Sequence, residues 1–355
     1  MKKWIPALAL SLALTLGGCS LSGQSYTVVE PHAEHPVLGE NESTIKASTY
    51  SELVNGVLFF VSQGVEEGVI QITDYNGDVE DDLNRACLEV AKDDPLGVYA
   101  VDFIKNSYTR VLTTYEATIS ITYRRTKEQV QSLVNVTSTN AIRKEVAEAL
   151  AQFRPELVLR VGYFTGDADG VAQLVRGAYY DAPAYAMGMP ECTVTLYPET
   201  GTQRIVEIVL TYPEEPAILT ARSGQLQQEV ENRLAPLRSQ SAGSVERLSQ
   251  LFALLPGTVR YDPDGGPTAW DAILGDGANS EGMALAFQLL AQEMGVTSTL
   301  VEGTLDGQPH FWNRLSDNGV HYVDLTRDRT GTTWSAEDLL ALGYQWEDAP
   351  NFEEN

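Results

Sequence analysis

Residues 50 to 225 carry one pattern twice, displaced by 89 positions. Gly77-Asp78 returns as Gly166-Asp167, and Thr122-Tyr123 as Thr211-Tyr212. Val69, Ile70 and Ile72 return as Val158, Leu159 and Val161, and Ile119 and Ile121 as Ile208 and Leu210. Leu53, Val57 and Val61 return at helical spacing as Ile142, Val146 and Leu150. Agreement at one offset across separate segments reads as a tandem duplication, with repeat 1 over 50–137 and repeat 2 over 138–225.

Each repeat reads helix, strand, helix, strand, strand. The first helix is expected over 50–62 and 140–153, and the first strand over 69–73 and 157–163. Asp78 and Asp167 stand where a helix N-cap belongs, ahead of Leu83 and Leu174. Later strands are expected at 98–103 with 115–123, and at 193–196 with 205–212. Helices beside short hairpin sheets make α+β modules. Asp74, Asn76 and Asp78 open like a calcium loop, but Gly77 is misplaced and Arg85 stands where the closing Glu belongs, so capping is the better reading. Neither repeat holds a catalytic constellation. Both read as structural or interaction modules.

The N-terminus has the layout of a secretory signal. Lys2-Lys3 precede an apolar run over 4–16, too short to span a bilayer. Leu16-Gly17-Gly18-Cys19-Ser20 resembles the bacterial lipobox. That resemblance implies a signal peptide over 1–18 and acyl chains such as palmitate on Cys19, which would hold an extracytoplasmic lipoprotein to the cell membrane. Two acyl chains suffice for stable anchoring. Residues 19–49 then read as a lipidated polar tether. His32 and His35 fall in it and read as solvent-exposed, since they lack further metal ligands.

The formal charge is −25, and loss of Lys2 and Lys3 with the leader takes it to about −27. Such an acidic excess argues against nucleic acid, which needs clustered Lys and Arg, and against the body lying flat on anionic lipid. No C-x-x-C pair occurs. Cys87 and Cys192 are left as either one disulfide of an exported protein or two buried thiols.

A further domain is expected over 241–349. Val245, Leu248, Leu251, Phe252 and Leu255 make one helix face, which Pro256-Gly257 would end. A turn-rich loop follows at 261–266, then a helix over 280–294 and strands at 298–303, 308–315 and 319–326. The segment Gly277-Ala278-Asn279-Ser280-Glu281-Gly282-Met283-Ala284 resembles the nucleophile segment of transglutaminase-like proteins. His310-Phe311-Trp312-Asn313 resembles the family's His-x-Trp-Asn strand, and Tyr322-Val323-Asp324-Leu325-Thr326 its aromatic-Val-Asp-x-Thr strand. The three segments keep the family's order. The resemblance implies a papain-like α+β domain after the two repeats, with Ser280, His310 and Asp324 at the catalytic positions.

A papain-type site needs a thiol at a helix N-terminus, an imidazole to take its proton, and a carboxylate to orient the imidazole. Here the nucleophile position holds Ser280, whose hydroxyl stays protonated near neutral pH. An odd-length loop through Ser316-Asp317-Asn318 would set His310 opposite Asp324, whereas a two-residue Asn318-Gly319 turn would pair Asp324 with Asn313. Ser280 reads equally as a helix N-cap, and Trp312 as core under the hairpin. The readings that follow are a binding or scaffolding domain for envelope protein, peptide or peptidoglycan, a Ser280-His310-Asp324 amidase or acyltransferase, or an assembly part without ligand. No cofactor is implied.

Overall fold

The computed structural model describes residues 44–238, 243–317 and 319–348. The leader, Cys19, His32, His35 and Asn318 lie outside the described residues. The chain is α+β. Its first unit runs β1 (Thr44–Ala47), α1 (Tyr50–Gln63), β2 (Glu67–Ile72), α2 (Val79–Lys92), α3 (Pro95–Ala100), β3 (Val101–Val111) and β4 (Thr114–Tyr123). A short helix α4 (Lys127–Gln131) leads to β5 (Val134–Val136), α5 (Thr139–Ala151), β6 (Glu156–Val161), α6 (Ala168–Asp181), β7 (Glu191–Tyr197) and β8 (Arg204–Thr211). The sheets are ordered β1-β2-β4-β3 and β5-β6-β8-β7, with the first pair of each parallel. β2 and β6, and α2 and α6, are displaced by the same 89 residues as the sequence pattern.

Local chemistry explains the helix starts. The Asp78 carboxylate accepts from the backbone N–H groups of Glu80 and Asp81, and that of Asp167 from Gly170, so both aspartates are spent as caps. Thr49 and Glu52 form a capping box on α1.

Several features depart from the expected pattern, among them helix α4, a strand at Tyr261–Gly266 where a loop is expected over 261–266, and a strand at His321–Val323 that is shorter than the expected 319–326. The stretch read as a strand over 98–103 begins as helix α3, because Asp94 caps it and Pro95 presets its first residue. Only glycine allows α3 to lie on α2, since a Cβ on Gly97 would sit 1.7 Å from the Val90 carbonyl oxygen. β1 and β5 are strands too short to announce themselves, made by parallel pairing with β2 and β6. β1 therefore takes Thr44–Ala47 out of the expected tether over 19–49, and β5 starts ahead of residue 138.

Helix α7 (Pro216–Arg238) runs on past residue 225 and buries Leu219, Leu226, Val230 and Leu234 along one stripe. Then come α8 (Ser244–Leu254), β9 (Tyr261–Gly266), α9 (Ala269–Ile273), α10 (Ser280–Glu293), β10 (Ser298–Leu305), β11 (Gln308–Leu315), β12 (His321–Val323), α11 (Ala336–Ala341) and β13 (Tyr344–Gln345). The last sheet is antiparallel, ordered β12-β11-β10-β13. Among the described residues, no helix is long and apolar enough to cross a membrane.

One core runs without a break from α5 and α6 through α7 and α8 to α10. The first unit has its own core, to which the second contributes Val158 and Ile205. Among the described residues the two cysteines are free and divided between these cores, Cys87 in the first and Cys192 against the second, so the disulfide alternative is not the one realised. A small aromatic core of Trp312, Tyr322 and Tyr344 backs the last sheet.

Candidate functional site

The first turn of α10 is held by a tight backbone cradle. Tyr261 and Gly266 both bridge to Ala278, and the Asn279 N–H donates to the Gly266 carbonyl at 3.1 Å. A Cβ on Gly282 would meet Ala278 Cβ and the Thr268 carbonyl oxygen, each at 2.7 Å. The N-cap of α10 is Asn279, whose side-chain oxygen accepts from the Gly282 N–H at 3.1 Å, and not Ser280. Ser280 is the first helical residue, half-buried, at the end where the helix dipole favours negative charge. Among the described residues its hydroxyl makes no hydrogen bond, to His310 or any other group.

His310 and Asp324 are brought together. The His310 Nε2 lies 2.7 Å from Asp324 Oδ2, with Asp324 1% exposed. The connection is odd in length, as the His310–Asp324 alternative needs, but five residues long, so the two are not directly opposite. Asn313 pairs with Val323 and Leu315 with His321 across a five-residue connection, which sets Asp324 past the end of β12, across from Trp312. Asp324 and His310 are thus diagonal neighbours on one face of the sheet. Asp324 also accepts from the Thr326 N–H and hydroxyl and from the Tyr344 hydroxyl. Burial pushes its carboxyl up, but the hydrogen bonds and charge of His310, with Tyr344 and Thr326, pull it below the usual carboxylate range. Burial and, after it, the same carboxylate push the Tyr344 hydroxyl up.

The imidazole is braced by aromatic rings, with Trp312 stacked at 6.2 Å and Tyr344 edge-on at 5.8 Å. Trp312 is 1% exposed and is core, as its place in the pattern suggests. With Nε2 bound to Asp324, Nδ1 is the ring nitrogen left to take or give a proton. Tyr261 bridges to Ala278, two residues before Ser280, and its hydroxyl is pushed up by burial and by the charges of Asp324, Asp262 and Asp264.

On the opposite face of β11, Asn313 donates to the Ala284 carbonyl of α10 at 3.0 Å, and repeat 2 packs at Phe311. Tyr180 on α6 packs against Phe311 at 6.0 Å and donates from its hydroxyl to Glu281 at 3.2 Å. Arg176 forks onto Glu302 at 2.6 and 3.1 Å. Burial raises the Glu281 carboxyl against the pull of Tyr180 and Arg176. Tyr180, Arg176, Tyr261 and Tyr344 had no signal of their own in the sequence, because their roles come from docking between distant segments.

Three grooves of 550, 380 and 610 Å³ mark the surface. The first two follow α7 beside Trp270 and Leu289, and the third lies over Arg314, Tyr322 and Trp346. None of the three is lined by Ser280, His310 or Asp324. Among the described residues, no group of three or more His, Cys, Asp or Glu side chains is placed to hold a metal ion.

Against known proteins, no family model matches the chain, and no curated protein matches it. A solved structure described as the crystal structure of a TGase is weakly similar, at 14% identity and a TM-score of 0.27 over 53% of this chain. The chain spans 57% of the length of that structure.

Proposed function

We propose that this is a lipid-anchored extracytoplasmic protein whose last domain is transglutaminase-like and works by binding or scaffolding at the cell envelope rather than by catalysis. Its ligand would be a peptide, a protein or peptidoglycan. The observation that carries the non-catalytic reading is the position of Ser280. It stands at the first turn of α10 without a hydrogen bond to the His310–Asp324 pair, and it has a hydroxyl where the resembled family uses a thiol. A serine there lacks the resting thiolate–imidazolium pair and needs a base in contact to act.

The second reading, a serine amidase or acyltransferase, draws on the pair itself. Asp324 orients His310 through Nε2 and leaves Nδ1 open, the arrangement a general base requires. Labelling of the full chain with a serine-reactive fluorophosphonate, beside Ser280→Ala, separates the two. No labelling of either protein is expected. Labelling that vanishes in Ser280→Ala would overturn the non-catalytic reading. Anchoring is tested apart from this by metabolic labelling with palmitate, which Cys19→Ala should abolish.

A further inference from the structure

The two hairpins of the repeat sheets turn differently: two residues join β3 to β4, and six join β7 to β8. In repeat 2 the turn after β7 reads Glu199-Thr200-Gly201-Thr202, and Gly201 has φ +101°. In repeat 1 the positions 89 residues earlier read Arg110-Val111-Leu112-Thr113. Leu112 also has a positive φ, 56°. Glycine adopts that conformation freely, while a bulky side chain is strained in it. The same side chain is 90% exposed, and Val111 beside it 43%. Leu112 is thus unfavourable twice over in water: for its backbone and for its apolar surface. Repeat 2 makes its longer turn with glycine at the positive φ and with no apolar side chain at the tip. Strain kept at an exposed apolar tip points to a function outside the folded unit.

We propose that Val111 and Leu112, at the tip of the β3–β4 hairpin, dip into the interface of a lipid bilayer. The surroundings suit that partner. Arg110 donates from Nε to the Leu112 carbonyl at 3.3 Å and lies 5.8 Å over the Tyr115 ring, and Tyr108 stacks edge-on against Tyr115. Amphipathic aromatic rings behind an apolar tip match the change from hydrocarbon to headgroup. The apolar area is two side chains, far below what a stable protein interface buries. Carboxylates stand nearby too: Glu80, which accepts from the Tyr108 hydroxyl, and Glu116 on β4. The fit is therefore to a neutral bilayer surface and is driven by apolar insertion.

The chain outside the described residues allows it. From the acylation position read at Cys19, 24 residues precede Thr44, at most about 80 Å of chain. They end in the same sheet, level with Ser107 through Val69 and Thr118, about 13 Å along the strand from Val111. The proposal rests on the anchoring reading only for the nearness of a bilayer.

The test places an environment-sensitive fluorophore on Thr113→Cys in the full chain, with Cys19→Ser and Cys192→Ser, and adds phosphatidylcholine vesicles. The control carries the fluorophore on Thr202→Cys, the equivalent position in repeat 2. A blue shift and quenching by lipid-borne nitroxide are expected at 113, absent at 202, and lost when Leu112→Gly is added. Leu112→Gly relieves the strained φ, so its melting temperature should not fall, and a lost signal cannot be put down to unfolding. Equal signals at both positions, or none at 113, overturn the proposal. So does a shift at 113 that needs no vesicles and grows with protein concentration, which would make the partner a second copy. Because the vesicles are supplied, this outcome stands whether or not palmitate labels Cys19.

Discussion

Arg125 and Glu207, 82 residues apart in sequence, meet at 2.7 Å across the two repeats. Tyr197 donates its hydroxyl to the same carboxylate at 2.8 Å, and the Arg125 guanidinium lies 4.8 Å over the Tyr99 ring. Glu207 is 6% exposed, so this ion pair is shielded from solvent and joins the units beside the apolar contact of Val158 and Ile205. Removing one partner of such a pair strands the other charge. Glu207→Ala is expected to cost about 3 kcal/mol in urea unfolding, and Glu207→Gln, which keeps the shape and a hydrogen bond, clearly less.

Two glycines in helices should respond in opposite directions. Gly282 has no room for a Cβ inside the α10 cradle, whereas a Cβ on Gly224 in α7 meets nothing within 4 Å. Gly282→Ala should destabilise by about 2 kcal/mol through overpacking. Gly224→Ala should stabilise by up to about 1 kcal/mol, because it removes the helix cost of glycine. Thermal melts of the two variants check both signs.

The His310–Asp324 contact predicts an acid limb. The unfolded Asp324 carboxyl titrates near its ordinary value, about 3.9, and the folded one lower. Between the two the unfolded chain holds more protons, so the stabilisation is complete above the ordinary range and is lost as pH falls through the folded pKa. Asp324→Asn should cost about 2 kcal/mol at pH 7, and the gap from wild type should close as pH falls through the folded pKa, below the ordinary carboxylate range. Denaturation midpoints measured down the pH scale decide it.

The thiols should behave separately. Cys87 is buried, receives a contact from the Asn106 amide, and has its thiol pushed up by burial to about 11. Cys192 is half-buried and raised as well. In a Cys19→Ser chain, maleimide should label Cys192 first and Cys87 only on unfolding. Non-reducing mass measurement should find both thiols free.

Restoring sulfur at the helix start tests what the site retains. Ser280→Cys places a thiol at the positive end of α10. Alkylation at pH 6 should run about tenfold faster than for a free cysteine. That excess should drop in the double variant with His310→Ala. A rate equal to free cysteine would mean that the dipole and imidazole do not reach position 280.

Much of this protein was readable without coordinates. The 89-residue displacement, the caps at Asp78 and Asp167, helix α10 and strand β11 follow from the sequence, because capping and periodic burial depend on residues a few positions apart. The tertiary structure decided the rest. β1 and β5 exist only through their parallel partners, and α3 replaced a strand once Gly97 let it sit on α2. Asp324 reaches His310 because of a register set by the connection after Leu315, and Tyr180 reaches Glu281 because repeat 2 shares its core with α10. Such contacts join segments up to about a hundred residues apart, and their geometry is settled only when the whole core closes.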